Sequence, residues 1–285
     1  MSRPDPPHRT RSTTLPARVL RRLRRAAALG TVAATLGTVA LVGAEVLAAR
    51  TRRYAKPSLG LALRTSIGPP AAPPLRLTLL GDAVALGVGV DTVEETIGGQ
   101  LAALLAGDAP APPDRTGGGR LVELASVAVS GSRSADLPTQ VARALVGTRP
   151  DVAVILIGAG DATGLRRPAE AGSFLGSAVR RLRDAGVEVV VGTCPDLAAC
   201  RAFAPPLRQL AGWHGRRIAR AQAAAAHSAG ADVVDLAAEA GPVFRADAGA
   251  LCFDGFHPSA DGYRIWAHAL YPAVAAAAVP LSPPR

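Results

Sequence analysis

Residues 75–89 read LRLTLLGDAVALGVG. Leucine dominates the first six positions, and the run stops at a Gly-Asp pair followed by small residues. A short apolar run ended by turn residues reads as a buried strand delivering a loop. The same unit recurs as VELASVAV (122–129), VAVILI (152–157), VEVVVG (187–192) and ADVVDL (231–236). Longer amphipathic stretches lie between these runs, at about 93–105, 135–145, 169–185, 207–229 and 261–278. Strands without polar alternation, each followed by a helix, predict a parallel sheet covered on both faces. The expected fold is therefore α/β: a three-layer α/β/α sandwich around a parallel five-stranded sheet, flavodoxin-like in type. Such sheets carry their ligands at the carboxyl ends of the strands. The runs that follow strands are GDA (81–83), SGS (130–132), GAGD (158–161) and CPD (194–196), so all four are expected at that edge.

Outward from this core the composition changes. The chain has 285 residues, 32 Lys and Arg against 22 Asp and Glu, and a net charge of +10. Residues 1–76 hold 14 of the basic residues and only Asp5 and Glu45 among the acids, so 14 − 2 = +12 resides there and 18 − 20 = −2 in the remainder. A nearly neutral folded part gives no electrostatic footprint for nucleic acid. Arg18, Arg21, Arg22, Arg24 and Arg25 precede an apolar stretch at 26–49 interrupted only by Glu45. A helix crosses ~30 Å of hydrocarbon in about 20 residues, so this stretch predicts a transmembrane signal anchor or a signal peptide cut near Val46-Leu47-Ala48. The heavier basic cluster before it predicts a cytoplasmic segment at 1–25 and a domain outside, at the cell membrane or secreted if the segment is cleaved. Residues 50–74 contain five prolines and no clear period, and are expected to be a semi-extended linker. The domain itself is expected at 75–280, with a surface loop at 107–119.

Near the end of the chain the run DGFHPS places Asp254 and His257 three apart. An imidazole beside a carboxylate is the pair that holds and moves a proton in hydrolysis. With GDA after the first strand, SGSRSADL after the second, GAGD after the third and DGFHPSADGY last, the order and spacing resemble the SGNH (GDSL) hydrolase family over residues 75–280. The runs VVVGTCPDL and HPSADGY are also similar to actinobacterial members with an N-terminal membrane segment. The resemblance implies a serine ester hydrolase without a cofactor, whose ligand is a small-molecule, lipid or glycan ester. It assigns Asp254 and His257 as acid and base, Gly131 as an oxyanion N–H donor, and Asp161 as the aspartate of the third block. It makes Asp82 largely structural, bonding loop backbone. Two positions depart from the pattern. Ala83 stands at the nucleophilic serine and Gly160 at the oxyanion asparagine. A methyl group cannot attack a carbonyl, so the acyl-enzyme route is closed at residue 83.

The expectation is a degenerate hydrolase that binds an acylated ligand. Its rival is an active esterase using Ser132 or a water activated by His257, and a third reading has the pocket filled by side chains. Gly87 and Gly89 lack the third glycine and acidic partner of a nucleotide loop. His214, His227 and His268 fall on expected helices, where packed or solvated roles are the rule, and no metal-ligand set is apparent. Cys194, Cys200 and Cys252 allow one disulfide in an exported domain or three buried thiols.

Overall fold

A computed structural model describes residues 17–59, 63–107 and 119–279. Most of the expected loop at 107–119 and of the basic segment at 1–25 lies outside them. The chain divides into a unit at Met1–Arg50 and one at Thr51–Arg285. In the first, helix α1 (Ala17–Thr51) includes 18 residues, Ala34–Thr51, long and apolar enough to span a membrane or to serve as a signal sequence.

The second unit is a sheet between helices. Its strands are β1 (Arg64–Ile67), β2 (Pro74–Gly81), β3 (Leu121–Ser126), β4 (Val152–Leu156), β5 (Glu188–Gly192) and β6 (Asp232–Val234), in the spatial order β1-β3-β2-β4-β5-β6. The five expected strands pair in parallel, and β1 adds a sixth, antiparallel to β3. The sheet thus has six strands where five were expected, and β1 lies within residues 50–74. β1 was invisible because RTSI is short, only half buried on alternate residues, and flanked by prolines. An edge strand of this kind carries no apolar run to announce it.

The helices are α2 (Ala83–Leu86), α3 (Ile97–Ala106), α4 (Leu137–Ala144), α5 (Ala159–Thr163), α6 (Pro168–Asp184), α7 (Leu207–Ser228), α8 (Leu236–Glu239), α9 (Gly241–Ala246) and α10 (Ala260–Ala277). Strand alternation splits the core in two. Leu77, Leu79, Val152 and Val154 face Ile97, Leu101, Trp266 and Leu270 of α3 and α10. Leu80, Ala153 and Ile155 face Leu137, Val141, Leu175 and Val179 of α4 and α6. Each layer interdigitates fully buried branched side chains, and each such side chain contributes about 1.5–3 kcal/mol by leaving water.

At their carboxyl ends the strands must hand polar backbone over to loops without leaving it buried and unpaired. Two glutamines solve this. Gln140 of α4 accepts from the Gly81 N–H at 2.7 Å and donates to the Gly81 carbonyl at 2.8 Å. Gln222 of α7 accepts from the Cys194 N–H at 2.8 Å and donates to the Ile157 carbonyl at 2.9 Å. Gly81 itself has φ +140, and a Cβ there would sit 1.8 Å from the Leu156 carbonyl oxygen, so only glycine passes between these strands.

The next residue, Asp82, caps α2 by accepting from the Val84 N–H at 3.1 Å. Burial pushes its carboxyl up from 3.8 to about 6, against the opposing pull of the Val84 N–H and of His257. A folded-state value above the unfolded one favours the protonated acid, so the ionised form opposes folding by about 3 kcal/mol. This penalty is absent below about pH 3.8, grows between there and about pH 6, and is complete above. Asp82→Asn keeps a cap oxygen without the charge. It should raise thermal stability at pH 7.5, and the gain should vanish by pH 3.5. A variant equally destabilised at both pH values, by calorimetry, would show that the charge is not what matters.

Candidate functional site

The site is assembled where β2, β3 and β4 end. Ala83 opens α2 directly after β2, 8% exposed, with an N–H that helix geometry leaves without an intrahelical partner. Gly131 lies in the turn after β3, exposed, with φ +83 and open space where a Cβ would project. Gly160 and Asp161 sit in the first turn of α5, after β4. Asp254 and His257 come from the loop before α10, which enters that helix through the Ser259 cap.

His257 and Asp254 form a buried pair. Nδ1 of the imidazole lies 2.7 Å from Oδ2 of the carboxylate. An ionised carboxylate only accepts, so Nδ1 carries the proton and Nε2 is left as the basic nitrogen. Oδ1 of Asp254 accepts from the N–H groups of Phe256 at 2.7 Å and His257 at 2.9 Å, and from the Cys252 thiol at 3.2 Å. Oδ2 also accepts from the Ala55 N–H at 2.9 Å. Burial alone would raise this carboxyl. The His257 bond and the Ala55, His257 and Phe256 N–H groups outweigh burial and hold it well below the usual carboxylate range. It is therefore ionised at neutral pH. The loop after α2 closes over the pair: a Cβ on Gly89 would lie 3.4 Å from the His257 Cβ and 2.6 Å from the Pro258 carbonyl oxygen. Rings line the other side, with Phe256 at 5.0 Å and Tyr54 at 6.5 Å from the imidazole, both edge-on.

The other expected residues take several roles. Asp161 is buried and accepts from the Ser134 N–H at 3.0 Å and hydroxyl at 2.8 Å, tying the β3 loop to α5. Burial raises its carboxyl too, opposed by those bonds. Ser132 is 6% exposed, and its Oγ accepts from Gln140 Nε2 at 3.1 Å. Gly160 is tightly covered, since a Cβ there would sit 2.8 Å from the Ser132 carbonyl oxygen. The three cysteines are free thiols. Burial pushes Cys200 and Cys252 up to about 11 and Cys194 well above its ordinary value, so all three stay protonated and none competes as a nucleophile. His214 is packed, its Nε2 2.9 Å from the Arg166 carbonyl oxygen, while His227 and His268 face solvent. Among the described residues no cluster of three or more His, Cys, Asp or Glu could hold a metal ion. Sequence reasoning missed Gln140, Gln222, Tyr54 and Ala55. The glutamines had a faint signal in their lone polar positions on apolar helix faces, and Ala55 had none.

Known proteins resemble this chain in sequence and in fold. The chain is 41% identical over 200 residues to the GDSL-like esterase Rv1075c of Mycobacterium tuberculosis (strain ATCC 25618 / H37Rv). That match covers 69% of this chain and spans 60% of the relative's length. Among solved structures, the lipase/acylhydrolase from Enterococcus faecalis superposes with a TM-score of 0.55 at 17% identity, covering 73% of this chain and 99% of that one. A catalytic mutant of Axe2, an acetylxylan esterase from Geobacillus stearothermophilus, superposes at 0.51 with 20% identity, covering 73% and 95%. These two likenesses establish the fold. A model of the GDSL-like lipase/acylhydrolase family matches residues 79–265, which takes in the last residues of β2, the three strand-end loops and the Asp254–His257 pair. The chain belongs to the GDSL-like lipase/acylhydrolase family.

Proposed function

We propose that this chain is a GDSL-family hydrolase fold that holds an acylated or ester-bearing ligand at its strand-end site while its own hydrolytic step is lost or severely reduced. The observation that carries the proposal is a formed acid–base pair with nothing to activate. His257 presents Nε2, Asp254 fixes its tautomer, and residue 83 is an alanine. Removing the nucleophile from a serine triad costs on the order of 10⁶ in rate. The family's asparagine donor is absent at Gly160 as well, a type of loss that costs about 10²–10³. Gly131 and Ala83 would then supply the two N–H groups that polarise a bound carbonyl. The ligand class is a small-molecule, lipid or glycan ester, as the family's chemistry suggests. The N-terminal helix supports placing this activity at the cell envelope, with the folded unit outside the membrane or secreted. Ser132 makes a poor substitute nucleophile, because it is buried and already bonded to Gln140.

Turnover of a short-chain aryl ester tests the reading. The native chain should match a His257→Ala variant, and Ala83→Ser should raise turnover by several orders of magnitude in a His257-dependent way. Native turnover abolished by His257→Ala would overturn the proposal and point to an activated water or another serine. The asparagine should be harder to restore than the serine. Its Cβ would meet the Ser132 carbonyl oxygen at 2.8 Å, so Ala83→Ser/Gly160→Asn should lose about 1–3 kcal/mol of stability relative to Ala83→Ser. The double variant should turn over no faster than the single one. Equal melting temperatures with higher turnover in the double variant would show that the 131–133 loop moves aside freely.

A further inference from the structure

Residues 54–59 follow α1 within the stretch expected to be a linker, yet they are fastened along the site. The Ala55 N–H donates to Asp254 Oδ2 at 2.9 Å, across 199 positions of sequence. The Tyr54 ring meets Phe256 edge-on at 5.7 Å and stands edge-on to His257. Ser58 Oγ donates to the Val90 carbonyl at 2.7 Å, in the loop that follows α2, and Leu59 packs on the core beneath α3 and α10. The segment thus bridges the first-block loop and the Asp254–His257 loop.

We propose that residues 54–58 form a strap that completes the acid–base pair, with Ala55 as a positioning residue whose backbone N–H fixes the Asp254 carboxylate for His257. The geometry explains the division of labour. Oδ1 is held within its own turn by Phe256, His257 and Cys252, whereas Oδ2 has only the imidazole and Ala55. One partner leaves the carboxylate oxygen free to swing about the imidazole. Two partners from different directions hold it. The fixed orientation of the orienting carboxylate decides which nitrogen of the histidine stays basic. Tyr54 stands edge-on to the same pair, and burial raises its hydroxyl.

The position of the strap has a consequence for processing. Severing the chain near Ala48 leaves the strap attached, and severing it beyond Ala55 removes the Oδ2 donor. The stretch after the helix is therefore a working part of the site and not a spacer. This inference rests on Asp254 and His257 being the acid–base pair. It holds whether or not Ala83 has ended turnover.

The test uses the full chain in detergent micelles with nitrogen-15 histidine, read by the proton resonance of the imidazole Nδ1–H and assigned by its loss in His257→Gln. Ala55→Gly keeps the N–H and should keep the native resonance. Ala55→Pro removes the N–H and should broaden or shift that resonance, while the far-ultraviolet circular dichroism and a cooperative thermal unfolding are retained. Ser58→Ala frees the other end of the strap and should produce a smaller change of the same kind. In the Ala83→Ser background, Ala55→Pro should lower kcat about tenfold to a hundredfold with little change in KM, as loss of a hydrogen bond to a charged group predicts. The native resonance persisting in a folded Ala55→Pro chain would overturn the proposal. If Ala55→Pro fails to fold, an unchanged resonance in both Ser58→Ala and Tyr54→Ala would overturn it. A silent Ala83→Ser background with the resonance changes present would count against the proposed ancestral chemistry and leave the strap standing.

Discussion

Gln140 gripping both polar groups of Gly81 is the interaction on which the site depends. Parallel strands that end beneath loops face a difficulty that antiparallel hairpins avoid. Their last peptide groups are buried at the end of the ladder, where the Gly81 carbonyl still accepts from the Val129 N–H at 3.2 Å. Left alone, each unpaired group would cost about 1–3 kcal/mol. A side-chain amide has an NH2 donor and a carbonyl acceptor at the right separation to replace a missing strand, with a second N–H to spare. Gln140 also reaches Ser132, so one residue sets the end of β2 and the loop after β3 together. Gln222 does the same between β4 and β5. The glycine that admits the first amide is followed directly by Asp82 and Ala83, so the placement of residue 83 follows from how the strand is sealed.

The Asp254–His257 pair persists on structural grounds that need no reaction. Asp254 accepts five hydrogen bonds, of which the histidine ring supplies one. The other four organise the turn that leads into α10 and secure the strand-edge segment at Ala55. Removing the carboxylate would leave three backbone N–H groups without their acceptor in a half-buried loop. The acid of the pair therefore has a second duty, in holding this turn together. Residues 83 and 160 carry no polar side chain with such a duty, whereas residue 254 does.

Long apolar runs made the central architecture readable from sequence. The strands through Leu79, Ile155 and Val190 are buried on both faces, and nothing but a covered parallel sheet accommodates them. The Asp254–His257 pair was readable because both members are side chains with distinctive chemistry three positions apart. β1 was not, since its stabilisation comes from ladder bonds to β3 that any sequence can make. Ala55 was illegible for a stronger reason. Its contribution is a backbone N–H, and an alanine donates no differently from any other residue except proline. Gln140 and Gln222 are lone polar residues on apolar helix faces, a faint signal without meaning until the strand ends they seal are in place.

The Ser132 carbonyl resting over Gly160 gives the chain a direction in sequence space. With an asparagine at 160, the loop after β3 has to stand off. With glycine there, the Ser132 carbonyl occupies the space that a side chain would need. The two positions therefore differ in what they tolerate. A serine at position 83 is a single substitution on a strand end that stays as it is. An asparagine at position 160 requires the loop after β3 to shift as well. The fold thus admits a hydroxyl at the head of α2 more readily than an amide at the head of α5.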